Sequence, residues 1–195
     1  MFEVLDRRVR RTKLNFCNHF IDLIKEKGYS NVSVKDIVDR ADYNRSTFYH
    51  YYKDKEDLTE ELVTEMFKKM EISFKQGYST MDYVTIRELT PKYYLFYEHI
   101  YEYKKFYSLL RYEDSIPGLL TNFMDNFRAL YKVLVYKTDE KEILTDEFYR
   151  EYIIYGLFGL ILEWIKTDFY LTPIELAENI INIPYLRIHS VKLAH

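Results

Sequence analysis

The stretch Ser33–Leu58, SVKDIVDRADYNRSTFYHYYKDKEDL, carries three helix-start signals in succession. Ser33 and Asp36 form a capping-box-like S-x-x-D, in which Ser33 accepts from the orphan amides of a first helical turn. Val34, Ile37, Val38 and Ala41 then recur at i, i+3, i+4 and i+7, so this short helix has one apolar face. Asp42 and Tyr43 make a turn, and Asp tolerates left-handed backbone better than most non-glycine residues. Asn44 caps the next helix, with Tyr43 before it placed to pack on Phe48 as a hydrophobic staple. Asp54 caps a third helix, with Asp57 in its first turn, where the helix dipole favours an acid.

The middle helix decides what this arrangement is for. With Phe48 and Tyr52 turned inward, Arg45, Ser46, Tyr49, His50 and Lys53 share the opposite face at spacings of three and four. Such a face suits a recognition helix: Arg45 and His50 to read base edges, and Ser46, Thr47, Tyr49, Lys53 and Lys55 to bind phosphates. A helix-turn-helix is therefore expected, and a three-helix packing corner with a solvated polar face is its plain rival.

The run from Ala41 to Leu58, ADYNRSTFYHYYKDKEDL, resembles the signature of the TetR-type bacterial transcriptional regulators, close to A-G-V-S-x-x-T-x-Y-x-Y-F-x-[SD]-K-E-x-L. Ala41, Thr47, Phe48, Tyr49, Tyr51, Lys53, Asp54, Lys55, Glu56 and Leu58 match. Asp42 replaces the usual turn glycine, Tyr43 a small aliphatic residue and Tyr52 a Phe. Tyr52 therefore needs a partner for its hydroxyl or a place at the edge of the core. The resemblance implies an all-α protein of about nine helices. An N-terminal three-helix DNA-binding domain, residues 1–55, would be followed by a helical effector-binding and dimerisation domain, residues 56–195.

Composition agrees. The chain has 195 residues, of which 48% are hydrophobic, with 5 Gly and 4 Pro, which favours helices and a substantial core. The net charge of −3 conceals an asymmetry: residues 1–55 carry +4 and residues 56–195 carry −7. A basic module attached to an acidic one suits a DNA reader joined to something that should stay off DNA. Cys17, the single cysteine, sits among Phe20, Ile21 and Ile24 at helical spacing and reads as a buried structural thiol. No signal peptide is visible at the start, and the longest apolar run, Ile153–Leu162, is too short to span a bilayer, so a cytoplasmic protein with no membrane role is expected.

In chain order, a first helix is expected from about Asp6 to Lys27, ending at Gly28, with Arg7, Arg8, Arg10, Arg11 and Lys13 clustered at its start. Leu58, Leu62, Met66, Met70 and Phe74 recur every four residues in a long helix that Gly77 ends. In the family such a helix joins the two domains and transmits their movement. Tyr78–Asp82 forms a break, and in the aromatic segment Tyr83–Tyr112 Thr90-Pro91 opens the main helix, the alternative being a kink in one already running from about Thr85. After a break at Glu113–Gly118 comes a helix with Leu119, Leu120, Phe123, Phe127, Leu130 and Leu134, then a charged loop, Tyr136–Thr145. Thr145 caps a helix to about Lys166, and Thr172-Pro173-Ile174-Glu175 opens the last as a capping box.

The segment YGLFGLILEWIKTDFYLTPIEL resembles the C-terminal helices of a subgroup of these regulators common in Gram-positive bacteria, where two helices from each protomer form a four-helix interface. That resemblance implies a homodimer through Gly156, Gly159, Leu160, Glu163, Leu176 and Ile180. Gly156 and Gly159 each cost about 1 kcal/mol in mid-helix, which the close approach of another helix would offset. The 21 Tyr and 13 Phe residues suggest a cavity for a flat hydrophobic or cationic effector, lined by Tyr93, Tyr97, Tyr101, Phe123, Phe127, Tyr155 and Trp164. An aromatic core that merely fills space is the alternative.

Enzymatic readings find no support. His19, His50, His99, His189 and His195 make no H-E-x-x-H or E-x-x-H pair, and there is no glycine-rich phosphate loop and no G-x-S-x-G. Neither a metal nor a cofactor is expected. The expected function is that of a dimeric repressor on a pseudo-palindromic double-stranded operator, released by a small effector. A helical ligand-binding or scaffold protein without DNA recognition, or a regulator controlled by a protein partner, are the alternatives.

Overall fold

The Asp36 carboxylate accepts from the Ser33 amide at 2.8 Å while the Asp36 amide donates to the Ser33 hydroxyl at 3.3 Å, closing the reciprocal cap that starts α2 (Val34–Ala41). The computed structural model describes residues 7–78, 94–134 and 147–183. α1 (Arg7–Lys27) precedes this cap and ends at Gly28, whose amide donates to Ile24 O from a left-handed conformation, φ +81°. Asp42 ends α2 in the left-handed region, φ 58°, as the turn demands. α3 (Arg45–Tyr51) starts on Asn44, and α4 (Lys55–Tyr78) starts where the Asp57 amide donates to Asp54 Oδ1 at 2.8 Å. The Lys27 ammonium, 2.8 Å from Asp36, acts with Ser33 to hold that carboxyl well below the usual carboxylate range.

Phe16 of α1 is the hub on which the first three helices close. Its ring meets Tyr43 at 5.1 Å, Phe48 at 5.5 Å and Tyr52 at 6.4 Å. The expected staple between Tyr43 and Phe48 thus runs through a third ring from another helix. Tyr52 is buried, and its hydroxyl donates to Glu61 Oε1 of α4 at 3.0 Å, supplying the partner that this substitution requires.

Leu58, Leu62, Met66, Met70 and Phe74 are all buried, so the four-residue spacing of α4 lays one apolar stripe against the helices that follow. These are α5 (Tyr94–Glu102), α6 (Lys104–Tyr107), a 3-10 turn (Ser108–Arg111), α7 (Leu119–Lys132), α8 (Glu147–Lys166) and α9 (Pro173–Asn182). Thr172 and Glu175 form the capping box of α9. α4 packs on α5 and α7, α7 on α8, and α5 on α9. Among the described residues there is no strand, and no helix is long and apolar enough to cross a membrane.

Among the described residues, the aromatic segment up to Tyr112 is not one continuous helix. It breaks at Tyr103, with φ −97° and ψ 28°, then tightens through α6 into the 3-10 turn. A buried polar pair spans it: His99 Nε2 and Tyr107 Oη meet at 2.9 Å. Residues eight apart in a straight helix are separated by about 12 Å along its axis, and the break at Tyr103 lies between the two partners of this contact. The expected helix start at Thr90-Pro91, the break at Tyr78–Asp82, the loop Tyr136–Thr145 and the Thr145 cap lie wholly or mostly outside the described residues.

Candidate DNA-binding surface

α3 presents its polar face as its spacing requires. Phe48 is fully buried, whereas Arg45, Ser46, Tyr49, His50 and Lys53 are exposed, Tyr49 at 56%. Asn44 Oδ1 accepts from Thr47 N at 2.8 Å, Thr47 Oγ1 at 2.7 Å and Ser46 Oγ at 2.7 Å. One cap atom therefore holds both hydroxyl protons. A phosphate oxygen only accepts, so Ser46 or Thr47 must turn off Asn44 to donate to one. Arg45 and Lys53 make no side-chain ion pair among the described residues and remain available cations. At the exposed start of α1, Arg7, Arg10 and Arg11 add positive charge, whereas Arg40 is paired with Glu26.

Lys55, expected on a phosphate, is engaged within the chain. Its ammonium donates to the Tyr29 carbonyl at 3.0 Å and lies 4.2 Å from the centre of the Tyr29 ring, with the side chain 14% exposed. Periodicity along α4 carries no information about a partner in the α1–α2 link. Another contact also escapes the sequence: Lys13 Nζ lies 2.6 Å from Glu61 Oε2, so α1, the end of α3 and α4 meet at one carboxylate. Beside it, burial and the Glu61 charge push the Cys17 thiol up to about 12, leaving it a neutral core group rather than a reactive thiolate. No group of three His, Cys, Asp or Glu side chains able to hold a metal occurs among the described residues.

The seven expected effector residues do not line one cavity. Phe123 and Phe127 are fully buried with their rings 5.2 and 5.4 Å from Phe158, and Phe127 lies 4.5 Å from Tyr131. Tyr97 is buried beside them, and loss of water pushes its hydroxyl up to about 12. These side chains fill space against one another. Tyr101 and Trp164 stack at 6.2 Å nearer the α8–α9 corner, with Trp164 Nε1 donating to Leu171 O. Tyr155 is 56% exposed on the far side of α8, so it cannot line an interior site. Tyr93 lies outside the described residues. Two tyrosine faces already carry the chain's own cations, Lys69 over Tyr103 at 4.7 Å and Lys104 over Tyr101 at 4.7 Å.

α8 is apolar on both sides. Ile154, Phe158, Ile161, Trp164 and Ile165 face the core, while Phe148, Tyr152, Tyr155, Gly156, Gly159, Leu160 and Glu163 face out. Among the described residues, a Cβ built on Gly156 or Gly159 would meet nothing within 4 Å, so no described helix of the same chain explains these glycines. Leu176, expected at an interface, is instead buried in its own chain, and Ile180 is half-buried. The helical period admits two apolar faces on α9, and packing on α5 decides between them. A groove of about 320 Å³ runs between α8 and α9, lined by Leu160, Glu163, Trp164, Leu176 and Ile180 among others. The sequence had no signal for Phe148, Tyr152 and Tyr155 as its outward partners beyond their spacing.

Two family models match the chain. Residues 21–62 match that described as "Bacterial regulatory proteins, tetR family", and residues 87–184 match a "Transcriptional regulator C-terminal region". The chain is 35% identical over 60 residues to an uncharacterized HTH-type transcriptional regulator, YxbF, of Bacillus subtilis (strain 168). That match takes in 30% of this chain and only 16% of the relative's length. A TetR transcriptional regulator from Streptococcus agalactiae 2603V superposes with a TM-score of 0.53 at 26% identity, over 91% of this chain and 96% of the other. A TerR/AcrR-family regulator from Aquifex aeolicus VF5 does so with a TM-score of 0.61 at 28% identity, over 88% and 96%. The chain belongs to the tetR family of bacterial regulatory proteins, which are transcriptional regulators and not enzymes.

Proposed function

We propose that this tetR-family chain works in the cytoplasm as a homodimeric repressor, with residues 1–55 binding a pseudo-palindromic operator and residues 56–195 dimerising and receiving the signal. The observation that carries the reading is the face of α3, where five exposed polar side chains stand over fully buried Phe48. Arg45 and His50 read bases in the major groove. Tyr49 and Lys53 hold phosphates, joined by Ser46 and Thr47 when these turn off Asn44. Two copies of α3 enter successive major grooves, about one helical turn of 34–36 Å apart or somewhat more.

Dimerisation falls to the outward face of α8 with the exposed edge of α9. An outer row of Phe148, Tyr152, Tyr155 and Leu160 with two open glycines suits a second helix at close range. The effector is a small apolar molecule that opens the aromatic layer of α5, α7 and α8. A cationic ligand is the weaker choice, because Lys69 and Lys104 already occupy the tyrosine faces. The filled packing of Phe123 and Phe127 favours a second reading, in which a partner protein supplies the signal.

Selection of randomised duplex DNA by the purified protein, with binding of the enriched sequence at several salt concentrations, tests the proposal. An inverted repeat bound tightly and with steep salt dependence supports it. Weak binding without enrichment overturns it. Release of that duplex by apolar small molecules, or only by a protein fraction of a lysate, decides between the two signals.

A further inference from the structure

The link between α1 and α2 is fastened to a residue far along the chain. Tyr29 N donates to the Asp114 carbonyl at 2.9 Å, and Ser30 N lies 3.2 and 3.3 Å from the two Asp114 carboxylate oxygens. Ser30 Oγ donates to Oδ2 of the same carboxylate. The approach is so close that a Cβ at Gly28 would stand 2.1 Å from Asp114 Oδ2. With its φ of +81°, this is a position that only glycine fills without strain.

Both sides of this contact lead onward. On the DNA-binding side, the Tyr29 carbonyl holds the Lys55 ammonium and the Tyr29 hydroxyl lies 3.3 Å from Thr59 Oγ1, so the link is bonded to the first turns of α4. Lys105, 2.8 Å from Asp22 of α1, is a second tie to the DNA-binding side, and on the other side Arg111 Nη1 lies 2.6 Å from Asp168 Oδ1 at the α8–α9 corner. At that corner the chain turns through two left-handed residues, Asp168 and Phe169, both with φ near +60°, and the Phe169 ring lies 5.0 Å from Trp164. The short segment from Lys105 to Asp114 therefore grips the DNA-binding helices at both of its ends, and between them Arg111 reaches the α8–α9 corner.

We propose that Lys105–Asp114 is a strap that carries the position of the α8–α9 corner to the helix-turn-helix, with Asp114 as its latch on Gly28–Ser30. The strap acts beside α4, gripping the link that α4 itself grips through Lys55. The idea rests on the regulator reading above, because a strap of this kind matters where the angle of the DNA-binding helices sets affinity. The latch gathers three donors, Tyr29 N, Ser30 N and Ser30 Oγ, on the one residue Asp114.

The test uses the full chain with nitroxide labels at Asp39→Cys on α2 and Asp125→Cys on α7, both exposed. Cys17 is buried and stays unlabelled. Labelled protein is diluted into unlabelled protein so that pulsed electron resonance reads distances within one chain. Asp114→Ala at the latch and Arg111→Ala at the contact with the α8–α9 corner should each shift or broaden a distribution that is narrow in the wild type. Asp114→Asn, which keeps one acceptor, should fall between. Affinity for the selected duplex should change at least about fivefold in both alanine variants. An unchanged distance in Asp114→Ala, whatever its melting temperature, overturns the latch. A change in Asp114→Ala without one in Arg111→Ala overturns the strap. Because distances are read without DNA, failure to select any duplex would sink the regulator reading while leaving the latch to be judged by its own measurement.

Discussion

Lys13 of α1 and Glu61 of α4 form an ion pair at 2.6 Å, and Tyr52 donates to the other oxygen of the same carboxylate at 3.0 Å. The side chains are 13% and 28% exposed, so the pair is neither a free surface contact nor a fully desolvated one. It anchors the end of the recognition helix to α4 at the point where the family signature is altered, with Tyr in place of Phe. Tyr52→Phe restores the commoner residue but leaves one oxygen of Glu61 without its donor. The expected loss is about 1 kcal/mol of stability, measured by urea unfolding. A variant as stable as the wild type would show that water replaces the hydroxyl without cost.

Arg45 and Lys53 have different jobs on the proposed DNA face. Arg45→Ala should weaken binding to the selected operator by about 1–3 kcal/mol and relax the sequence preference, while Lys53→Ala should weaken binding to all sequences and flatten the salt slope by about one unit. Binding titrations at several salt concentrations, on operator and on random duplex, separate the two. Equal effects on both DNAs from both variants would contradict the assignment.

Lys55 should act through the fold. Its ammonium is occupied by the Tyr29 carbonyl and ring, so Lys55→Met should lower the unfolding midpoint and leave the slope of log affinity against log salt unchanged. A slope reduced by about 0.9, as for one lost phosphate contact, would show that Lys55 leaves Tyr29 when DNA binds.

The open glycines of α8 make dimerisation testable without damage to the protomer. A Cβ at Gly156 meets nothing within 4 Å among the described residues, and Gly156→Leu gains up to about 1 kcal/mol of helix propensity. It should raise the stability of the isolated protomer while keeping a partner helix at a distance. Sedimentation at micromolar concentration is expected to show a dimer for the wild type and a 23.9 kDa monomer for Gly156→Leu. A dimer of undiminished affinity in the variant would place the interface elsewhere.

His99 gives the fold a pH dependence of definite sign. Burial, and then the nearby Lys69 charge, lower its pKa to about 4 from 6.5, so the unfolded chain takes up a proton that the folded chain refuses. Its contribution is complete above about pH 6.5 and is lost as pH falls toward 4, at up to about 1.4 kcal/mol per unit. Urea midpoints at pH 7, 6 and 5 should fall in the wild type and fall less in His99→Asn. Parallel declines in the two proteins would assign the acid lability to other groups.

The helix-turn-helix was legible because everything that specifies it is local. The Ser33–Asp36 and Asn44 caps, the spacing of Ile37, Val38 and Ala41, and the alternation of Phe48 with Arg45 and Tyr49 all act within a few residues. Capping and helical period are properties of the chain's immediate neighbourhood. The same reasoning found the stripe of α4 and the Thr172–Glu175 box. It failed where a side chain's role depends on what lies across the fold. Lys55 turns to a carbonyl 26 residues upstream. The aromatic segment breaks between His99 and Tyr107, whose side chains meet across the break, and Phe123 and Phe127 close a core that their composition alone made a candidate cavity.

Local sequence thus determined which segments are helices, where they begin, and which face of α3 is left polar, since caps and periodicity need no distant partner. Tertiary structure decided which apolar face of α8 and α9 is covered, which cations are already engaged, and where Asp114 grips the α1–α2 link. Those outcomes depend on contacts between residues far apart in sequence, and burial and hydrogen bonding across such contacts exist only once the chain has closed on itself.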